Sequence, residues 1–145
     1  MRAICLRALC INTSVGAASM LEGEWATQGI SAKVNISPCI SRPQWMCGAI
    51  TWLWEPIDGH GDTIKDRNNP TSSLRGRSLL GITIINDMQM QSNGSWQGGT
   101  IYDPESGHSY KASLKLRSDE LLEVNGCYLF FCKTQIWRRA SSVCR

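Results

Sequence analysis

The side chains that could do chemistry fall into three groups. Asp103, Glu105 and His108 lie close together, and Asp66 stands apart in a polar stretch. Paired carboxylates can share acid and base duties, and clustered oxygens can hold calcium. The same residue types are also what a Pro-Gly turn recruits, because Asp side chains fold back onto nearby backbone N–H groups. Asp103-Pro104-Glu105-Ser106-Gly107 reads as such a turn, with His108 at the surface. Ser95, Ser106 and Ser109 lack the strand-turn-helix setting of an activated serine. No catalytic residue is expected, and the chain reads as a non-enzyme.

Seven cysteines form the second group. With no C-x-x-C pair and two histidines, a zinc site has little support, and no metal is expected. With Cys5 and Cys10 set aside in the N-terminal leader, the spacings Cys39/Cys47 and Cys127/Cys132 suit local disulfides across loops, leaving Cys144 as the odd thiol. Such bridges imply an oxidising compartment. Buried reduced cysteines are the alternative. The third group is aromatic. Six tryptophans, Trp25, Trp45, Trp52, Trp54, Trp96 and Trp137, are many for one chain. Each wants burial plus a partner for its N–H, as in a barrel interior or a pocket wall. Simple alternation puts Trp52, Trp96, Tyr102 and Tyr110 on inward registers, as candidates for a ligand wall. The competing reading is plain filling, since an eight-stranded barrel is just wide enough for side chains. Arg75 and Arg77 could clamp an anionic group, although solvated arginines are commoner.

What must position these groups is a set of strands. From Tyr110 to Leu116, apolar residues alternate with Lys111, Ser113 and Lys115, the period of an antiparallel strand with one wet face. The stretch Ser95–Tyr102 lies on the other side of the turn, so the two form a hairpin. Further strands are expected at Glu24–Thr27, Ala32–Ser37, Cys47–Trp54, Leu79–Ile85, Glu120–Asn125 and Phe131–Arg139. Eight short strands without a convincing helix predict an all-β, up-and-down antiparallel barrel. Residues 55–77 form a long polar connection, mobile or functional. Within it, Asp66, Asn68, Asn69 and Pro70 build a rigid turn that anchors an otherwise floppy loop.

At 145 residues the chain is long enough for one domain with a real core. Residues 1–19, with Arg2, Arg7 and a small-residue stretch at Gly16-Ala17-Ala18-Ser19, resemble a signal peptide. Asn12, Thr13 and Ser14 interrupt its apolar part, so a start at Met20 is the other reading. Residues 20–145 then form the barrel domain. The formal charge of +3 falls to +1 without Arg2 and Arg7, and no basic cluster appears, which argues against nucleic acid. No run approaches the ~20 apolar residues of a membrane-spanning helix.

Gly23-Glu24-Trp25 at the first strand and Arg139 at the last resemble the calycin arrangement of lipocalins and avidins. That resemblance implies Arg139 stacked across Trp25 at the barrel end. A wider set of residues resembles the bacterial family known as domain of unknown function 2147. It comprises Gly23-x-Trp25, Cys47-Gly48 with Ile50, Trp52 and Leu53, Asp66 with Asn68-Asn69-Pro70, and Arg75-x-Arg77 with Gly81. It continues through Trp96-x-Gly98-Gly99, Tyr102-Asp103-Pro104, Gly107 and Tyr110 to Trp137-x-Arg139. The resemblance implies a secreted or periplasmic calycin-like barrel with no assigned activity. The expected function is binding of a small apolar or amphipathic molecule, without a cofactor. The expected ligand-binding residues are Trp52, Trp96, Tyr102 and Tyr110 in the wall, with Asp66 and Asn69 from the long loop, which Asp66 also holds in place. The alternative is a filled structural or interaction module of the cell envelope.

Overall fold

Strands with one apolar face hide it by closing on one another, and here they close completely. The computed structural model describes residues 20–142. Its strands are β1 (Gly23–Ala26), β2 (Ala32–Pro38), β3 (Met46–Leu53), β4 (Thr83–Met90), β5 (Trp96–Asp103), β6 (His108–Leu116), β7 (Leu121–Tyr128) and β8 (Phe131–Arg139). Each pairs antiparallel with its sequence neighbours, and β8 returns to β1, giving a closed eight-stranded up-and-down barrel. Closure leaves no long sheet edge for another chain to template on.

The interior follows from the pairing. Trp25 faces Val34, Val34 faces Ile50, Trp96 faces Leu114, Leu114 faces Val124, and Leu122 faces Trp137. All of these belong to one buried cluster, in which Trp25, Trp96 and Trp137 are the largest fully buried side chains. Leu21, just before β1, is also fully buried and accepts the Trp25 indole N–H through its carbonyl at 2.9 Å. That end of the barrel is therefore plugged. The opposite end carries the β1–β2 turn, the long segment between β3 and β4, the 104–107 turn and the β7–β8 turn.

Strand β4 differs from the sequence expectation. It begins at Thr83 rather than Leu79 and runs on to Met90. Leu79 belongs to the long segment, its N–H bonded to the Ile64 carbonyl. The continuation was hidden because Asn86-Asp87 breaks the apolar alternation, with Asp87 in a left-handed conformation at φ 56°. The long segment is also not floppy along its length. Bridges Ile57–Thr63 and Lys65–Ser78 and a 3-10 turn at Ser72–Leu74 give it a fold of its own.

Gly107 shows how tightly this segment seats. Its φ is +73°, and a Cβ there would stand 1.9 Å from the Asn68 carbonyl oxygen. Gly107→Ala should cost about 3 kcal/mol, combining left-handed strain with overpacking. Gly94 also has positive φ (82°) but open space around it. Gly94→Ala should therefore lose only about 1 kcal/mol. Urea melts of the two variants check the difference.

Candidate functional site

Asp66 is the hub of the polar chemistry. Its carboxylate is fully buried. Oδ1 accepts the Tyr102 hydroxyl at 2.5 Å, and Oδ2 accepts Asn69 Nδ2 at 2.9 Å and Arg77 Nε at 3.0 Å. Arg77 Nη2 lies 2.9 Å from the same Oδ2, so the guanidinium grips one oxygen with two donors. Burial raises the Asp66 pKa, but the bonds from Tyr102, Asn69 and Arg77 and the Arg77 charge outweigh it and hold the carboxyl below its ordinary value. Tyr102 moves the other way. Burial, and then the bond and charge of Asp66, push its hydroxyl from 10.0 to about 12.

These groups tie the long segment to the barrel wall. The turn expected at 66–70 is present, the Asn69 N–H donating to the Asp66 carbonyl at 3.1 Å and Asn69 Oδ1 accepting the Thr71 N–H at 2.8 Å. Asn68 Nδ2 reaches the carbonyls of Pro104 and Glu105 at 3.2 and 2.8 Å, tying the long segment to the β5–β6 turn. Arg75 and Arg77, weighed above between an anion clamp and solvated arginines, both hold the segment here, Arg75 donating to the Asn69 carbonyl at 2.8 Å and Arg77 to Asp66. Asp103, Glu105 and His108 form no acid–base pair. Asp103 Oδ1 accepts the Glu105 N–H and its Oδ2 accepts the Ser106 hydroxyl, as a turn requires.

The four rings expected on one wall do not share it, and β-bulges are the reason. Val34 pairs with Ile50 and Lys33 with Trp52, so Thr51 is an extra residue in β3. Trp52 is thereby turned to the face opposite Ile50. There it sits beside Lys33, whose Nζ lies 5.1 Å from the ring centroid, and meets Trp54 edge-on at 6.0 Å. A second bulge falls between Trp96 and Gly99. Trp96, Gly99 and Ile101 therefore share the inner face, and Tyr102 points outward to Asp66. Tyr102 is buried on the outer side of the sheet, where Asp66 of the long segment covers it. Of the four, Trp96 and Tyr110 keep the inward register.

Trp96 lies deep, with an indole Nε1 that is the one buried side-chain polar atom lacking a partner among the described residues. Tyr110 stands near the open end in a ring cluster that sequence reasoning missed. His108 stacks on Tyr128 at 5.9 Å, and both meet the Tyr110 ring edge-on, at 6.4 and 6.1 Å. The period of two in β6 placed Tyr110 and His108 on one face, so half of the cluster was there to be read. Its Tyr128 partner lies in Cys127–Cys132, where the disulfide spacing masked the strand ends.

At the plugged end the expected pair forms. The Arg139 guanidinium carbon sits 3.9 Å from the Trp25 ring centroid. Its nitrogens also donate to the carbonyls of Met20, Glu22 and Asp119. Both expected disulfides, Cys39–Cys47 and Cys127–Cys132, are present. Residues 1–19 and Cys144 lie outside the described residues. No helix among the described residues is long and apolar enough to cross a membrane.

No curated protein matches the sequence. Among solved structures the chain is similar to protein HP1028 from Helicobacter pylori, described as belonging to the lipocalin family. The identity is 25%, the TM-score 0.69, and 84% of each chain is covered. The closed eight-stranded antiparallel barrel fits that likeness. Residues 23–139 match the family described as uncharacterized protein conserved in bacteria (DUF2147), and the chain belongs to it.

Proposed function

We propose that this protein is an exported, non-catalytic barrel that binds a small apolar or amphipathic molecule at its open end. The observation that carries the reading is a gradient along the inward registers of β6, β7 and β8. Near the plug these positions are Leu114, Leu122, Val124 and Trp137, all buried. Toward the open end they become Tyr110, Tyr128, Gln135 and Lys133, which are partly or fully exposed. Apolar rings with a few polar ends suit a molecule with an apolar body and one polar group. The unpartnered Trp96 N–H favours an acceptor deeper inside, on a ligand or a buried water. The lipocalin-like fold adds analogy, and the two disulfides favour an extracytoplasmic setting.

The test is thermal shift and tryptophan emission against fatty acids, isoprenoids and small aromatic acids. A binder should raise the melting temperature by mass action, by several degrees at saturating ligand. Tyr110→Ala should weaken that shift at least tenfold in apparent affinity, whereas Trp52→Ala, on the outer face, should leave it unchanged. Absence of any shift across the panel would favour the filled module. That second reading has its own observation, three tryptophans packed solidly in the barrel.

A further inference from the structure

The β7–β8 turn does something that ordinary turns avoid. Tyr128 pairs with Phe131, so the connection is the two residues Leu129 and Phe130. Two-residue turns favour Gly, Asn or Asp, because a left-handed φ is easy for them and their surroundings are wet. Here Leu129 takes φ 52°. The side chains of Tyr128, Leu129, Phe130 and Phe131 are 51, 79, 98 and 79% exposed. The disulfide Cys127–Cys132 crosses the hairpin directly beneath them. Across the closure of the barrel, the β1–β2 turn repeats the choice. Ile30, a β-branched residue, is held at φ 57° and is 38% exposed. Left-handed strain in such a residue is uncommon. Two turns at one barrel end thus accept strain to display an apolar side chain.

We propose that the stapled Tyr128–Phe131 tip is a membrane-docking element that inserts into the interface of an anionic bilayer, a role beyond small-molecule binding. Shape and charge both select a lipid surface. The tip is a two-residue turn with exposed side chains, and a bilayer needs no complementary groove to receive it. Four side chains displayed on one turn fall short of the roughly 800 Å² per partner of a stable protein dimer. The next rungs carry cations, with exposed Lys133 opposite Gly126 and exposed Lys111 opposite Cys127. Lysines behind an apolar tip lie at headgroup depth, where they attract anionic lipid. Tyr128, half exposed and stacked on His108, supplies an amphipathic ring at the same depth. The disulfide holds the tip open, so insertion orders little additional chain.

The experiment is co-sedimentation of the intact protein with vesicles of phosphatidylcholine, alone and mixed with phosphatidylglycerol. The protein should pellet with the mixed vesicles and release as salt rises. Phe130→Ser combined with Phe131→Ser should lower partitioning at least tenfold while the melting temperature and barrel circular dichroism stay unchanged. Ile40→Ser, at a fully exposed position in the Cys39–Cys47 loop at the other barrel end, should bind like the parent. Failure of the parent to pellet with either vesicle overturns the proposal, as does equal pelleting by the double variant. Gel filtration showing an oligomer that the double variant abolishes would also overturn it, making a second copy the occupant.

Discussion

Trp25→Ala should destabilise the barrel by about 3–5 kcal/mol, the range for removing a large buried aromatic ring. Trp25 is fully buried, donates to the Leu21 carbonyl and supports the Arg139 guanidinium on its face. Arg139→Ala alone should cost less, because part of its loss is hydrogen bonding to the carbonyls of Met20, Glu22 and Asp119. The two substitutions should not add. Their coupling should be about 1–2 kcal/mol, the worth of a desolvated cation–π contact with its stem packing. A double-mutant cycle in urea measures it, and additive losses would mean that stacking contributes nothing. Arg139→Lys should recover little, since an ammonium cannot both lie flat on indole and fork among three carbonyls.

Asp66→Ala should cost about 3–4 kcal/mol, because it leaves the Tyr102 hydroxyl buried without its acceptor and Arg77 without its counter-charge. The loss should be local first, seen as faster amide exchange and proteolysis in residues 55–81. The pH dependence has two arms. The Asp66 pKa is lower folded than unfolded, so its contribution is complete above the ordinary 3.8 and disappears as pH falls toward the folded value. The Tyr102 pKa is raised, so its contribution is complete below 10.0 and disappears as pH climbs toward about 12. Urea midpoints across pH should fall in both windows. Asp66→Asn should flatten the acid arm and shrink the alkaline one, since the carboxylate that accepts from Tyr102 is gone.

Much of the architecture was legible because alternation is a local property. Tyr110 to Leu116 declares its own faces, and Phe131–Arg139 can be bounded from Trp137 and the preceding cysteine. The site was less legible because bulges are decided by tertiary pairing. Nothing in Thr51 marks it as the extra residue that reverses Trp52, and Tyr102 reads as inward until the shift between Trp96 and Gly99 is known. The Asp66 turn was readable from Asp, Asn and Pro chemistry. Its partners Arg77 and Tyr102, 11 and 36 positions away, were not, since a hydrogen bond over such distances leaves no periodic trace. The apolar hairpin tip lay in plain view between Cys127 and Cys132, but its exposure depends on which side chains the barrel leaves outside.

The two-rung junction of β1 with β8, Trp25 with Arg139 and Ala26 with Arg138, has a kinetic meaning. Every other strand pair joins neighbours in sequence and can zip from its own turn, an order that favours rapid folding. The ring cannot shut until Arg139 finds the Glu22 carbonyl, 117 positions away. Closing a loop of that length in a flexible chain costs about 4 kcal/mol of entropy. A preformed meander would already have met much of that cost, leaving Arg139 to act as a latch dropped last. In the finished molecule, unfolding should begin where the latch lifts.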